Sequence, residues 1–137
     1  MAKTYKPIFV QTVKTEDVQY TNSDAAATSK DLYTAGAEGG LCNSISVSST
    51  DTNAVSLQIF LKASGGTARL LGTVEVPAGA GETDGVPAID ILASANIVGK
   101  QADGSYAVEA LGVISITNVT QVTSSEQIDI VANCGDY

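Results

Sequence analysis

The chain contains no histidine and no tryptophan in 137 residues. Without an imidazole, the Ser-His-Asp and Cys-His nucleophile systems are excluded. The commonest zinc ligand is missing too, and two cysteines, Cys42 and Cys134, are too few for a structural zinc site. Aromatic residues are scarce, with Tyr 5 and Phe 2, so platforms for stacking on sugars are in short supply. Charged residues reach only 16%, against roughly 25% in an average globular chain. No apolar run approaches a membrane span of about 18 residues. The opening Met-Ala-Lys-Thr-Tyr-Lys-Pro also lacks the apolar stretch of a signal peptide. The expectation is a chain with no membrane partner and no cofactor, made and kept in a cytoplasm. In that reducing setting Cys42 and Cys134 are expected as two small buried hydrophobes. They can pair only if their strands are neighbours.

What is present suits a β protein. Hydrophobic residues make up 44%, and Gly 13 supplies turns. A chain of this size buries about two-thirds of its unfolded surface, enough for one packed domain. Ser, Thr, Asn and Gln carry the solubility. The formal net charge is −8, and it is unevenly placed. Residues 1–69 balance six cations (Lys3, Lys6, Lys14, Lys30, Lys62, Arg69) against six acids, whereas residues 70–137 hold Lys100 against nine acids. Such a surface repels phosphate backbones, so direct DNA or RNA binding is not expected. The first fourteen residues run the other way, with Lys3, Lys6 and Lys14 and no acid before Glu16. A basic arm on an acidic protein can dock on a neighbour, and these three lysines are the candidate partner-binding residues.

Along the chain, apolar residues recur with the period of two that marks half-buried strands. Ile8 and Val10 open a first candidate strand after Pro7. Residues 15–30 are polar and Ala-rich, reading as a loop or as one helical turn capped by Ser23. Leu32–Ala35 precede a turn at residues 36–40. Leu41, Asn43, Ile45 and Val47 then alternate with Cys42, Ser44, Ser46 and Ser48. After a turn at residues 49–53, Val55, Leu57, Ile59 and Leu61 repeat the pattern. These two segments read as the central hairpin of a sheet. Residues 68–76 alternate again, and 77–85 read as an exposed loop. Pro87, with Ile89 and Leu92 three apart, suggests a short helix. Further strands are expected near 106–111, 112–119 and 127–133. About eight short strands with turns every eight to twelve residues indicate an all-β β-sandwich, with a jelly roll among the topologies it fits. One or two helical turns are expected at most. Residues 1–30 read as an N-terminal arm and polar segment, and 31–137 as the sandwich.

Catalytic patterns are absent. Neither cysteine has a neighbouring cation in sequence to hold a thiolate. Glu75, Glu82, Asp84 and Asp90 form a local carboxylate cluster of the type a glycosidase uses, but they read as solvated loop acids. The glycines at 36–40 and 79–85 match no phosphate-binding loop. Calcium at Glu82/Asp84 or at Asp51 has only generic spacing behind it. Asn118-Val119-Thr120 has the form of a glycosylation sequon and reads as coincidence.

Three segments resemble small virion proteins of tailed bacteriophages. They are Leu32-Tyr33-Thr34-Ala35-Gly36 leading into Asn43 to Asp51, then Val86-Pro87-Ala88-Ile89-Asp90-Ile91-Leu92, and the ending Ile128 to Tyr137. Residues 97–107 are shorter and less apolar than that pattern, and residues 1–30 lie outside it. The resemblance implies a head decoration or cement protein: a β-sandwich, often trimeric, on the capsid exterior, with the major capsid protein as partner. Synthesis in a host bacterial cytoplasm follows from the same resemblance. The alternatives are a neck or tail accessory protein, and a carbohydrate- or host-binding module.

Overall fold

The computed structural model describes residues 10–83 and 85–137. Among the described residues, nine strands form two antiparallel sheets: β1 Thr12–Thr21, β2 Ser29–Thr34, β3 Gly40–Ser49, β4 Val55–Lys62, β5 Arg69–Val76, β6 Ile89–Asp90, β7 Tyr106–Val108, β8 Val113–Asn118 and β9 Gln127–Asp136. One sheet runs β1-β9-β3-β6, with β7 also on β3, and the other runs β2-β8-β4-β5. The pairings are nested. Strand β1 pairs with β9, β2 with β8, β3 with β6 and β7, and β4 with β5. This is one long hairpin folded over, and its roll is closed by β3 on β9 and β4 on β8. The result is a β-sandwich with jelly-roll strand order, the architecture in which two Greek keys share one core.

The core lies between the sheets. Ile45, Val47, Leu57, Ile59, Ile116, Ile128 and Ile130 are fully buried. Their alternation with Ser46, Ser48, Gln58 and Asp129 sends one face of each strand inward. Each such side chain is worth roughly 1.5–3 kcal/mol of burial before entropy is subtracted.

Several expectations change. Strands β3 and β4 do not form a hairpin, because they belong to opposite sheets. The short link after Ser49 crosses the sandwich, so the two apolar faces meet across the core and not side by side. A bulge between Cys42 and Ser44 adds Asn43 to β3. It breaks the simple alternation and places Cys42, not Leu41, on the face of Ile45 and Val47. Part of the polar stretch 15–30 is strand, because β1 covers Thr12–Thr21. Even its inward side carries Lys14 and Glu16, which hides the apolar period of this edge strand. The segment after Pro87 is first a short strand and then a 3-10 turn, Ile91–Ala93, capped by Asp90. The expected start at Ile8 lies outside the described residues.

Cys42 and Cys134 are joined as a disulfide, with their Cα atoms 4.0 Å apart. The expectation of two unpaired thiols rested on the compartment alone. Register overrules it, because Cys42 stands directly opposite Cys134 on β3 and β9.

Candidate functional site

The N-terminal lysines are the natural starting point. Lys3 and Lys6 lie outside the described residues. Lys14 points into the open edge of the sandwich, where its Nζ is 2.8 Å from Asp136 Oδ2 and 5.9 Å from the centroid of the Tyr33 ring. Asp136 also accepts from the Tyr33 hydroxyl at 2.6 Å and from the Gly36 amide at 3.1 Å. Burial opposes ionisation of Asp136, but the Lys14 ammonium and these donors outweigh it and hold the carboxyl below its ordinary value. The same contact raises Lys14. Burial, then Asp136, pushes the Tyr33 phenol up.

A second lysine repeats the arrangement further along the same edge. Lys30 on β2 donates to the Gln19 carbonyl of β1 at 2.6 Å and to Asp24 at 3.0 Å. It lies 4.9 Å from the centroid of the Tyr20 ring. The β1/β2 seam is thus closed by two lysine–aspartate pairs, each over a tyrosine. Inward-pointing charge of this kind also discourages a free edge strand from pairing with other chains. The charge of Lys14 is therefore spent within its own chain.

The remaining candidates are structural in the same sense. Asp51 is 1% exposed, and its carboxylate takes hydrogen bonds from the Asn53 amide at 2.9 Å, the Thr123 amide at 2.9 Å and the Thr123 hydroxyl at 2.8 Å. Those donors occupy the oxygens that a calcium ion would need. Asp90 accepts from the amides of Ile45 and Leu92, both at 3.0 Å. It sits at the β3/β6 edge, while Glu75 is exposed on β5 of the other sheet. The carboxylate cluster seen in the sequence is therefore divided, and Asp84 lies outside the described residues. Asn118 is fully buried, accepting from the Thr28 amide at 2.8 Å and donating to the Ala25 carbonyl at 3.2 Å. Its amide is not presented as a glycan acceptor. Among the described residues, no group of three or more His, Cys, Asp or Glu could hold a metal ion, and no helix is long and apolar enough to cross a membrane.

What the molecule does present is surface. The outer face of the β1-β9-β3 sheet carries Thr15, Asp17 and Gln19, then Asp129, Val131 and Asn133, then Ser44, Ser46 and Ser48, in register across three strands. A shallow trough between β1 and β9 is lined by Asp17, Gln19, Asp129 and Val131. Residues 43–49 on β3, 89–90 on β6 and 128–136 on β9 lie in this sheet, with β3 between the other two strands, whereas Leu32, Tyr33 and Thr34 lie on β2 of the opposite sheet. Aromatic platforms are lacking: Tyr20, Tyr33 and Tyr106 are buried, and Phe60 and Tyr137 are half-buried. Among the described residues, no aromatic side chain is exposed.

Sequence reasoning missed the lysine–tyrosine seam, the Asp51 staple and the continuous polar face. The serines at alternate positions of β3 signalled that face, but only the strand order reveals which strands extend it.

No protein-family model matches the chain, and no curated protein does. Among solved structures, the chain is similar over 98% of its length to a chain in the structure of infectious bursal disease virus Gx strain. There the identity is 16%, the TM-score 0.38, and 36% of that chain is covered. A structure of the Gt strain gives 16% identity and a TM-score of 0.26, with 98% of this chain and 46% of that chain covered. The chain thus spans less than half the length of the chains it matches.

Proposed function

We propose that this chain is a non-enzymatic structural protein of a bacteriophage virion, a head decoration or cement protein on the capsid exterior. The observation that carries the reading is that part of each of the three resembling segments, residues 43–49, 89–90 and 128–136, falls on one sheet, while residues 32–34 of the first lie on the other. Strand β3 lies between β9 and β6, so these stretches run side by side in the sheet whose β1-β9-β3 part carries the polar outer face. Two further features support it. Jelly rolls serve viral capsids and lectins among other roles, so topology alone does not choose between them. The absence of exposed aromatics among the described residues weighs against the carbohydrate-binding alternative. A disulfide persists on a virion surface, outside the reducing cytoplasm in which the chain would be made.

The partner is the major capsid protein and the working assembly a homotrimer. The mechanism is mass action: a protein that binds the mature lattice and not its precursors stabilises that lattice. The test is cosedimentation of the purified chain with genome-filled heads assembled without it. Saturable attachment to filled heads is expected. A chain that stays in the supernatant, or that binds a glycan array instead, overturns the reading.

A further inference from the structure

Seven cations serve a chain of net charge −8, and the structure accounts for most of those it describes. Lys14 is held by Asp136, and Lys30 by Asp24 and a backbone carbonyl. Lys100 donates to the carbonyls of Leu92 at 2.8 Å and Ser94 at 2.9 Å. The two others are Lys62 and Arg69, and they stand at the two feet of the same β4–β5 turn. Among the described residues neither has an ion-pair partner. Every residue from Lys62 to Leu70 is exposed. The tip is shaped by an Ala63–Gly66 turn and by Gly65 at φ +70°, which projects into open space. Leu70, beside Arg69, leaves half of its surface in water.

The opposite pattern lies on the outer face of the other sheet. Asp17 stands opposite Val131 on β1 and β9, and Asp129 opposite Gln19. Asp129 accepts from the amides of Gln19 and Gln127, both at 2.8 Å, so its oxygens are oriented but its charge is not neutralised. Val131 is 38% exposed between the two acids. One patch therefore carries two cations beside a leucine, and the other two carboxylates around a valine.

We propose that the β4–β5 tip of one copy, through Lys62, Arg69 and Leu70, docks on the β1–β9 trough of a second copy, at Asp17, Asp129 and Val131. The patches lie on different sheets, so the contact is head-to-tail and its repetition closes a ring or extends a chain of copies. Opposite charge steers and registers such a contact, and the aliphatic pair supplies the dry centre. The inference concerns the purified chain alone and does not depend on the virion reading.

Sedimentation velocity at low salt tests it. The wild type is expected to self-associate, more weakly as salt rises. Lys62→Glu with Arg69→Glu, and separately Asp17→Lys with Asp129→Lys, should each weaken association by about tenfold or more. The chain carrying all four substitutions should regain it. The two pairs change net charge in opposite directions, so a loss in both variants does not come from net charge alone. Circular dichroism confirms that each variant is folded, and Leu70→Ser gives a charge-neutral check that should also weaken the contact. A wild type that stays monomeric overturns the proposal. So does a four-fold variant without recovery, or a loss confined to one of the two pairs.

Discussion

Asp51 shows how a single acid is used in this fold. Its side chain ties the link between β3 and β4 to the loop before β9, through donors from Asn53 and Thr123. Replacing it with alanine removes the buried carboxylate that accepts those three part-buried hydrogen bonds. Asp51→Ala is therefore expected to cost about 1–3 kcal/mol, read from urea unfolding, and Asp51→Asn should cost less because one acceptor oxygen remains. The same geometry sets the response to acid. Burial raises the Asp51 carboxyl, but its hydrogen bonds win and hold it below the ordinary 3.8. Asp136 is lowered likewise. A carboxyl lowered by folding adds stability above its unfolded value and loses it as pH falls through the folded one. Unfolding midpoints should be level near neutrality and fall below pH 3.8, where the unfolded chain takes up protons first. Stability that rises on acidification would contradict the assignment. None of these bonds was legible in the sequence, where Asp51 is one member of a Ser-Thr-Asp-Thr-Asn turn and nothing marks it as buried.

At the scale of elements, strand existence was largely legible and strand partnership was not. The period of two in residues 55–61 and the Val- and Ile-rich segments near 112–119 and 127–133 reflect burial of one face, which sequence records directly. The Asn43 bulge and the sheet change between β3 and β4 leave no local trace, because both are decided by contacts distant in the chain. Close approach gives one test. A Cβ on Gly40 would run into the Tyr33 hydroxyl and the Gly135 carbonyl. Gly40→Ala is expected to destabilise by about 1–3 kcal/mol through overpacking, whereas Gly65→Ala, with no atom within 4 Å, meets only its left-handed backbone and should cost less. Thermal melts of the two variants decide the order. The disulfide gives a second. It joins strands whose cysteines are 92 positions apart, and a cross-link of that span restricts the unfolded chain by about 4–5 kcal/mol in the entropic account. Cys42→Ala with Cys134→Ala should lower the unfolding midpoint markedly. A dithiol reductant should shift the wild-type midpoint in the same direction and leave the double variant unmoved.

At the scale of the whole molecule, the all-β class followed from composition and period, while the nested 1-9, 2-8, 3-6, 4-5 pairing emerged only from the structure. The basic arm proposed from charge counting illustrates the limit. Three lysines near one terminus look alike in sequence, yet Lys14 is neutralised by Asp136 across the sandwich edge. Among the described residues, the cations left facing solvent are Lys62 and Arg69, and nothing in the sequence singles them out. The measurement that tests this account most directly is the temperature at which filled heads release DNA, followed by a fluorescent dye with and without the purified chain. The account predicts release at a higher temperature when the chain is bound, rising with occupancy until the lattice is saturated. An unchanged release temperature at full occupancy would contradict it.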